Sequence, residues 1–116
     1  MRDLSHLVGK RVRATGEIVN IHTRRKRNTL QYELVLTNVI IDQSKEPIDH
    51  IHIYFPVKSV AEETIKGLLN RDNTHITFTA KVHRYTRKYN DMFIKTQDYG
   101  LHELRKIEFL ERGKAV

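Results

Sequence analysis

Two short segments carry the residues most able to do chemistry. The first is Arg24-Arg25-Lys26-Arg27, four cations with no acid among them. The second is Arg84-Tyr85-Thr86-Arg87-Lys88-Tyr89, three cations flanked by two tyrosines. Together they hold seven cations, equal to the net charge of +7, so the remainder of the chain is balanced. Guanidinium and ammonium groups neutralise phosphates, and tyrosine rings offer flat faces on which unstacked bases can lie. A solvated loop kept charged for solubility is the plainer reading of either cluster. Confinement of the whole excess to two segments about 60 residues apart favours one cationic surface assembled by the fold.

Other reactive groups are sparse. His50-Ile51-His52 puts two imidazoles on one strand face, which permits metal coordination in principle. With no cysteine and no evident third ligand, no metal site is assigned. His50 and His52 fit the polar outer face of a strand, while His6, His22, His75, His83 and His102 are scattered and form no motif. No phosphate-binding glycine loop, GxSxG or HExxH occurs. The expectation is a non-enzyme without catalytic residues or cofactor.

Composition narrows the classes further. The chain has 116 residues, 21 Lys+Arg against 14 Asp+Glu, no Cys and no Trp. That length suits one domain, residues 1–116. The absence of cysteine excludes a disulfide scaffold, a thiolate metal centre and a cysteine nucleophile. No apolar run approaches the roughly 20 residues of a membrane span. The first residues contain no secretory signal, and a cytoplasmic location is expected. A sequence pI near 9.8 favours an anionic partner, nucleic acid before anionic membrane.

The elements that must position these residues are legible from apolar periodicity. Alternation over residues 10–23 predicts a first strand, with Val12, Ala14, Gly16 and Ile18 on one face. The apolar set then moves to Val19 and Ile21, which predicts a bulge near Gly16. The basic run 24–28 breaks the pattern and reads as a loop. Residues 29–41 form a second strand, with Leu30, Tyr32, Leu34 and Leu36 inward. After the polar turn 42–47, residues 48–55 form a third, with Ile51, Ile53 and Phe55 inward and His50, His52 and Tyr54 outward. Spacing of three and four over 57–69 predicts a helix, which the capping-box spacing of Ser59 and Glu62 would start at Ser59. Residues 74–83 are a fourth strand with Ile76, Phe78, Ala80 and Val82 inward. Residues 84–91 read as a basic loop, with Met92-Phe93-Ile94 able to pair within the same hairpin. Residues 99–110 hold the last strand, with Leu104, Ile107, Phe109 and Leu110 as its apolar members.

The order β-β-β-α-β-β predicts an all-β domain with one helix: the OB-fold, a five-stranded, partly open Greek-key barrel. In that fold an oligonucleotide crosses strands two and three, between the loop joining strands one and two and the loop joining strands four and five. Here those loops are 24–28 and 84–91, the two segments that hold the charge excess. The expected binding residues are therefore Arg24, Arg25, Lys26, Arg27, Arg84, Tyr85, Arg87, Lys88 and Tyr89, with Tyr54 and His52 on the strand surface between. Tyr32 shares a face with leucines and is expected in the core. Arg11, Arg13 and Lys81 lie on outward strand faces and could extend the track.

Leu34-Val35-Leu36-Thr37-Asn38-Val39, followed by a turn and Ile48-Asp49-His50-Ile51-His52-Ile53, resembles a family of small proteins from phages and mobile genetic elements of Gram-positive bacteria. Their pattern is an "LLxNV"-like run, a turn, "DHLWF", an aromatic-rich hairpin and a late "DY" before a basic-apolar end. Asp98-Tyr99 and Leu104-Arg105-Lys106-Ile107 match the last two features. The resemblance spans about residues 9–110, with His52 where the pattern usually has Trp. It implies an OB-fold single-stranded DNA-binding protein of mobile-element replication, of the kind some staphylococcal cassette elements carry. Replication or recombination proteins of the same element would be its partners. Cellular single-strand-binding proteins end in an acidic recruiting tail. This chain ends Glu111-Arg112-Gly113-Lys114-Ala115-Val116, so recruitment by that route is not expected. The expectation is thus a largely sequence-independent single-stranded DNA-binding protein. The alternatives are an RNA-binding OB module, a protein-interaction module with an acidic partner, and a nuclease.

Overall fold

The computed structural model describes residues 4–42, 44, 47–89 and 94–110. Five strands run in the order β1 (Arg11–Lys26), β2 (Thr29–Ile41), β3 (Pro47–Pro56), β4 (His75–Tyr89) and β5 (Ile94–Phe109). One helix, α1 (Glu62–Leu69), lies between β3 and β4. The ladders between these strands are antiparallel, and the spatial order is β3-β2-β1-β4-β5. β3 and β5, at the two edges, also approach each other, so the sheet curls into a barrel, with no closing ladder among the described residues. This is the OB-fold.

Alternation fixes what is inside. Leu34, Leu36, Ile53, Ile76 and Phe78 are fully buried in a core that continues through Val12, Ala14 and Val82. Ile65 and Leu68 turn the apolar face of α1 into the same core. Each well-buried aliphatic or aromatic side chain contributes on the order of 1.5–3 kcal/mol. His50, His52 and Tyr54 alternate outward between buried Ile51, Ile53 and Phe55, as the sequence predicts. Tyr32 is half-buried against the core, 5.6 Å from Phe55 between ring centroids.

Four expectations need correction. Residues 24–28 are not a loop, because β1 continues through Lys26 and β2 resumes at Thr29. Only Arg27 and Asn28 turn the chain, both with positive φ (49° and 65°), as a two-residue hairpin turn requires. Residues 84–89 likewise remain in β4, and β5 begins at Ile94 rather than 99. Charged side chains on a two-stranded ribbon bury little, so they conceal its strands from an apolar pattern.

The register shift expected near Gly16 is present, between Thr15 and Glu17, and the third correction concerns Val19, which does not turn inward. The extra residue of β1 is Val19, which is exposed, so Ile18 and Ile21 both turn inward. The irregularity beside Gly16 belongs to the partner strand, at Asn38 (φ 53°). In β5, Glu103 and Lys106 take the same left-handed conformation at its two register shifts. Leu101, Leu104 and Ile107, spaced by three, can therefore all face inward from one strand. Finally, the capping box does not form. Ser59 ends a 3-10 turn, its hydroxyl donates to the Pro56 carbonyl, and α1 starts at Glu62.

Candidate nucleic-acid interface

Antiparallel register places chemistry on the outer face of β1-β2-β3. Glu33 of β2 stands opposite His22 of β1 and Tyr54 of β3. An acid on an outward strand position would normally be solvated, yet Glu33 is only 6% exposed. His22 Nε2–H donates to its Oε1 at 2.7 Å. His52 Nδ1–H and the Tyr54 hydroxyl donate to its Oε2 at 2.7 and 2.8 Å. The hydrogen bond from His52 above all, then those from Tyr54 and His22, outweigh burial and hold the Glu33 carboxyl down at about 2. It is a fixed anion that orients three neighbouring side chains.

Arg24 completes this cluster. Its Nη1 donates to the Tyr54 hydroxyl at 3.3 Å and lies 3.8 Å from Glu33 Oε1. Its guanidinium carbon sits 5.6 Å from the Tyr54 ring centroid. Burial and the nearby Glu33 charge raise the Tyr54 pKa, so the ring stays a neutral phenol. Tyr54 remains 42% exposed, so one large ring is pinned at its hydroxyl and open to solvent.

The β4-β5 ribbon supplies a second set of rings. Tyr85 pairs with Asp98, and Arg84 with Tyr99. The Tyr85 hydroxyl donates to Asp98 Oδ2 at 3.2 Å, and the Tyr99 amide donates to Oδ1 at 3.0 Å. Asp98, itself buried, thus tethers Tyr85 while leaving the ring 37% exposed. The Arg84 guanidinium lies 5.8 Å from the Tyr99 centroid. Gly100 faces His83 across the ladder, and a Cβ there would come within 2.9 Å of His83 Cε1. A glycine is what lets the His83 and Tyr85 rings lie close over β5.

Between the two sets runs a groove of about 620 Å³. His50, His52 and Tyr54 form its β3 wall; His83, Tyr85, Tyr99 and His102 form the other; Ile51 and Leu101 also line it. Three tyrosines and four histidines therefore meet around one open cleft. Among the described residues, no three His, Asp or Glu side chains converge as a metal site. Nor is any described helix long and apolar enough to cross a membrane.

Of the residues expected from sequence, Arg24, His52 and Tyr54 meet around Glu33, and Tyr85 lies across the groove from His52 and Tyr54. Arg25, on β1, and Arg27, in the turn, are exposed on the hairpin, and Arg84 is exposed on β4. The side chains of Lys26, Arg87, Lys88 and Tyr89 lie outside the described residues, as do Asp91, Met92 and Phe93 entirely. Position 52, where the resemblance leads one to expect Trp, faces the groove, so the third-strand register is as the alternation predicts.

Sequence reasoning missed Glu33 and Asp98 as organisers, and it missed the assembly of His22, His83 and His102 into the site. Glu33 had one available signal. It falls opposite His22 once the hairpin register is drawn through the Arg27-Asn28 turn. No family model matches the chain, and no curated protein matches it either.

Proposed function

We propose that this chain is a single-stranded DNA-binding protein, largely indifferent to sequence, that acts without catalysis. One observation carries the reading: Tyr54 on one side, with Arg24 beside its ring, and Tyr85 and Tyr99 on the other, with Arg84 beside the Tyr99 ring, line one open groove of the barrel. Cations from both hairpins neutralise phosphates on either flank, and the exposed rings take unstacked bases between them. Stacking is worth about 1–3 kcal/mol per base and tolerates any base. Resemblance to small proteins of phages and mobile elements supports a role in replication, recombination or transfer of such an element, inside the cell that hosts it.

The test is fluorescence anisotropy of a labelled oligo-dT of about 25 nucleotides across a salt series, with duplex DNA and matched RNA as competitors. Each neutralised phosphate contributes about −0.7 to the log–log slope, so four to seven contacts give roughly −3 to −5. Salt-steep binding that duplex does not displace supports the proposal. Equal or better competition by RNA moves the assignment to RNA. Absence of binding at low salt removes it and points to an acidic protein partner.

A further inference from the structure

The groove's far wall contains an arrangement that stacking does not need. His83 and His102 stand with ring centroids 4.6 Å apart and Nδ1 atoms 2.7 Å apart. At that separation one nitrogen must donate and the other accept, so the contact admits a single proton. Glu103 Oε2 lies 3.4 Å from His102 Nε2, so a neutral His102 protonated at Nε2 accepts at Nδ1 from His83, and His102 donates to His83 only as an imidazolium. Burial and the His102 charge lower the His83 pKa.

The surroundings are short of free negative charge. Glu103 is shared among Arg11, Lys81 and Arg105, at 3.6, 3.7 and 3.7 Å. Asp98 accepts from Tyr85 and Tyr99. Opposite, β3 presents His50, His52 and Tyr54, and the Glu33 carboxylate of β2 is held by three donors. From β4, Arg84 adds a further cation beside Tyr99.

We propose that the His83–His102 pair is a phosphodiester-binding site, and that a strand occupies it with uptake of a proton. It rests on the single-strand reading above and adds where one phosphate sits and how acidity regulates it. An anionic oxygen placed between the imidazoles replaces one N–H···N contact with two N–H···O contacts. Both rings then carry an Nδ1 proton, and the bound anion raises the affinity of the pair for the second one. By linkage, a site that takes up a proton binds more tightly as pH falls. The gain reaches up to about tenfold per pH unit for one proton, between the free and bound pKa values.

Two measurements test this on the full chain. The first follows oligo-dT affinity at constant ionic strength from about pH 8 to pH 5.5, the window in which histidines titrate. Wild type and the His6→Gln/His75→Gln control are expected to tighten severalfold or more as pH falls. The His83→Gln/His102→Gln variant is expected to bind at pH 8 but to lose that gain. A pH-independent wild type, or an undiminished gain in the His83→Gln/His102→Gln variant, overturns the proposal. The second follows the imidazole Cε1–H resonances of wild type with inorganic phosphate and with the dinucleotide dTpdT. A raised titration midpoint of His83 or His102 with either supports the anion site even if oligo-dT does not bind, in which case only the single-strand reading falls. A midpoint unchanged by both overturns the site directly.

Discussion

The two walls of the groove hold imidazoles and tyrosines of the same kinds but organise them oppositely. On the β1-β2-β3 side a buried carboxylate, Glu33, gathers His22, His52 and Tyr54, and Arg24 caps the ring. On the β4-β5 side His83 and His102 touch each other with no acid between them, and the buried Asp98 serves Tyr85 and the backbone. The first wall is pre-neutralised and rigid, and it can present a ring and a guanidinium at little conformational cost. The second brings two imidazole nitrogens to 2.7 Å, a contact that holds one proton between two rings. On the proposed reading, one wall stacks and steers and the other responds to pH.

The largest effect that would break this comparison is removal of charge from the first hairpin. Replacing Arg24, Arg25, Lys26 and Arg27 together by Ala should reduce the magnitude of the salt slope by about 2–3 and weaken oligo-dT binding by roughly two orders of magnitude at low salt. Undiminished affinity in the anisotropy titration would leave the β1-β2 hairpin without a role in binding. Next come the rings. Tyr54→Ala and Tyr85→Ala should each weaken binding by about 1–3 kcal/mol, with the salt slope almost unchanged for Tyr85→Ala. A larger slope change for Tyr54→Ala would reflect release of Arg24, which rests on that ring.

Glu33→Gln sharpens the contrast at the level of stability. The amide cannot accept from three donors, and melting should show a loss of about 1–2 kcal/mol near neutrality. The carboxyl is held at about 2, down from an ordinary 4.5, so its stabilising contribution is complete above 4.5. It is lost as pH falls from there toward about 2, because the folded state must then accept a proton it resists. Denaturant melts of the variant should lack this component of acid destabilisation. The smallest expected effect is that of Gly100→Ala. Its Cβ displaces the His83 ring, so affinity at about pH 6 should drop a few-fold while affinity at pH 8 changes little. Wild-type affinity at both pH values, with the His83 resonance unmoved, would show that ring placement over β5 does not matter.

How much of the fold is legible from sequence varies along the chain, with a common physical cause. Strands whose inner faces are aliphatic, such as Ile51-His52-Ile53-Tyr54-Phe55 and Ile76–Val82, declare themselves because period-two burial leaves a period-two composition. The ribbons at 24–26 and 84–89 do not, because their cations fall at adjacent and alternate positions alike and leave no apolar period to read. Apolar spacing of three in β5 resembles no strand until Glu103 and Lys106 adopt left-handed conformations, each inserting one residue into the ladder.

The sequence by itself determined the element order, the inward and outward residues of the regular strands, and the confinement of excess charge to two segments. Those properties are local, because they follow from which side chains prefer water and how often they recur. Tertiary structure alone decided which distant groups meet. Glu33 became a buried anion only because antiparallel register set His22 and Tyr54 on either side of it. His83 and His102 became a proton-sharing pair only because β4 and β5 align them across a ladder with Gly100 between. Contact between residues far apart in the chain depends on register and curvature, and those are settled by the packing of the whole barrel.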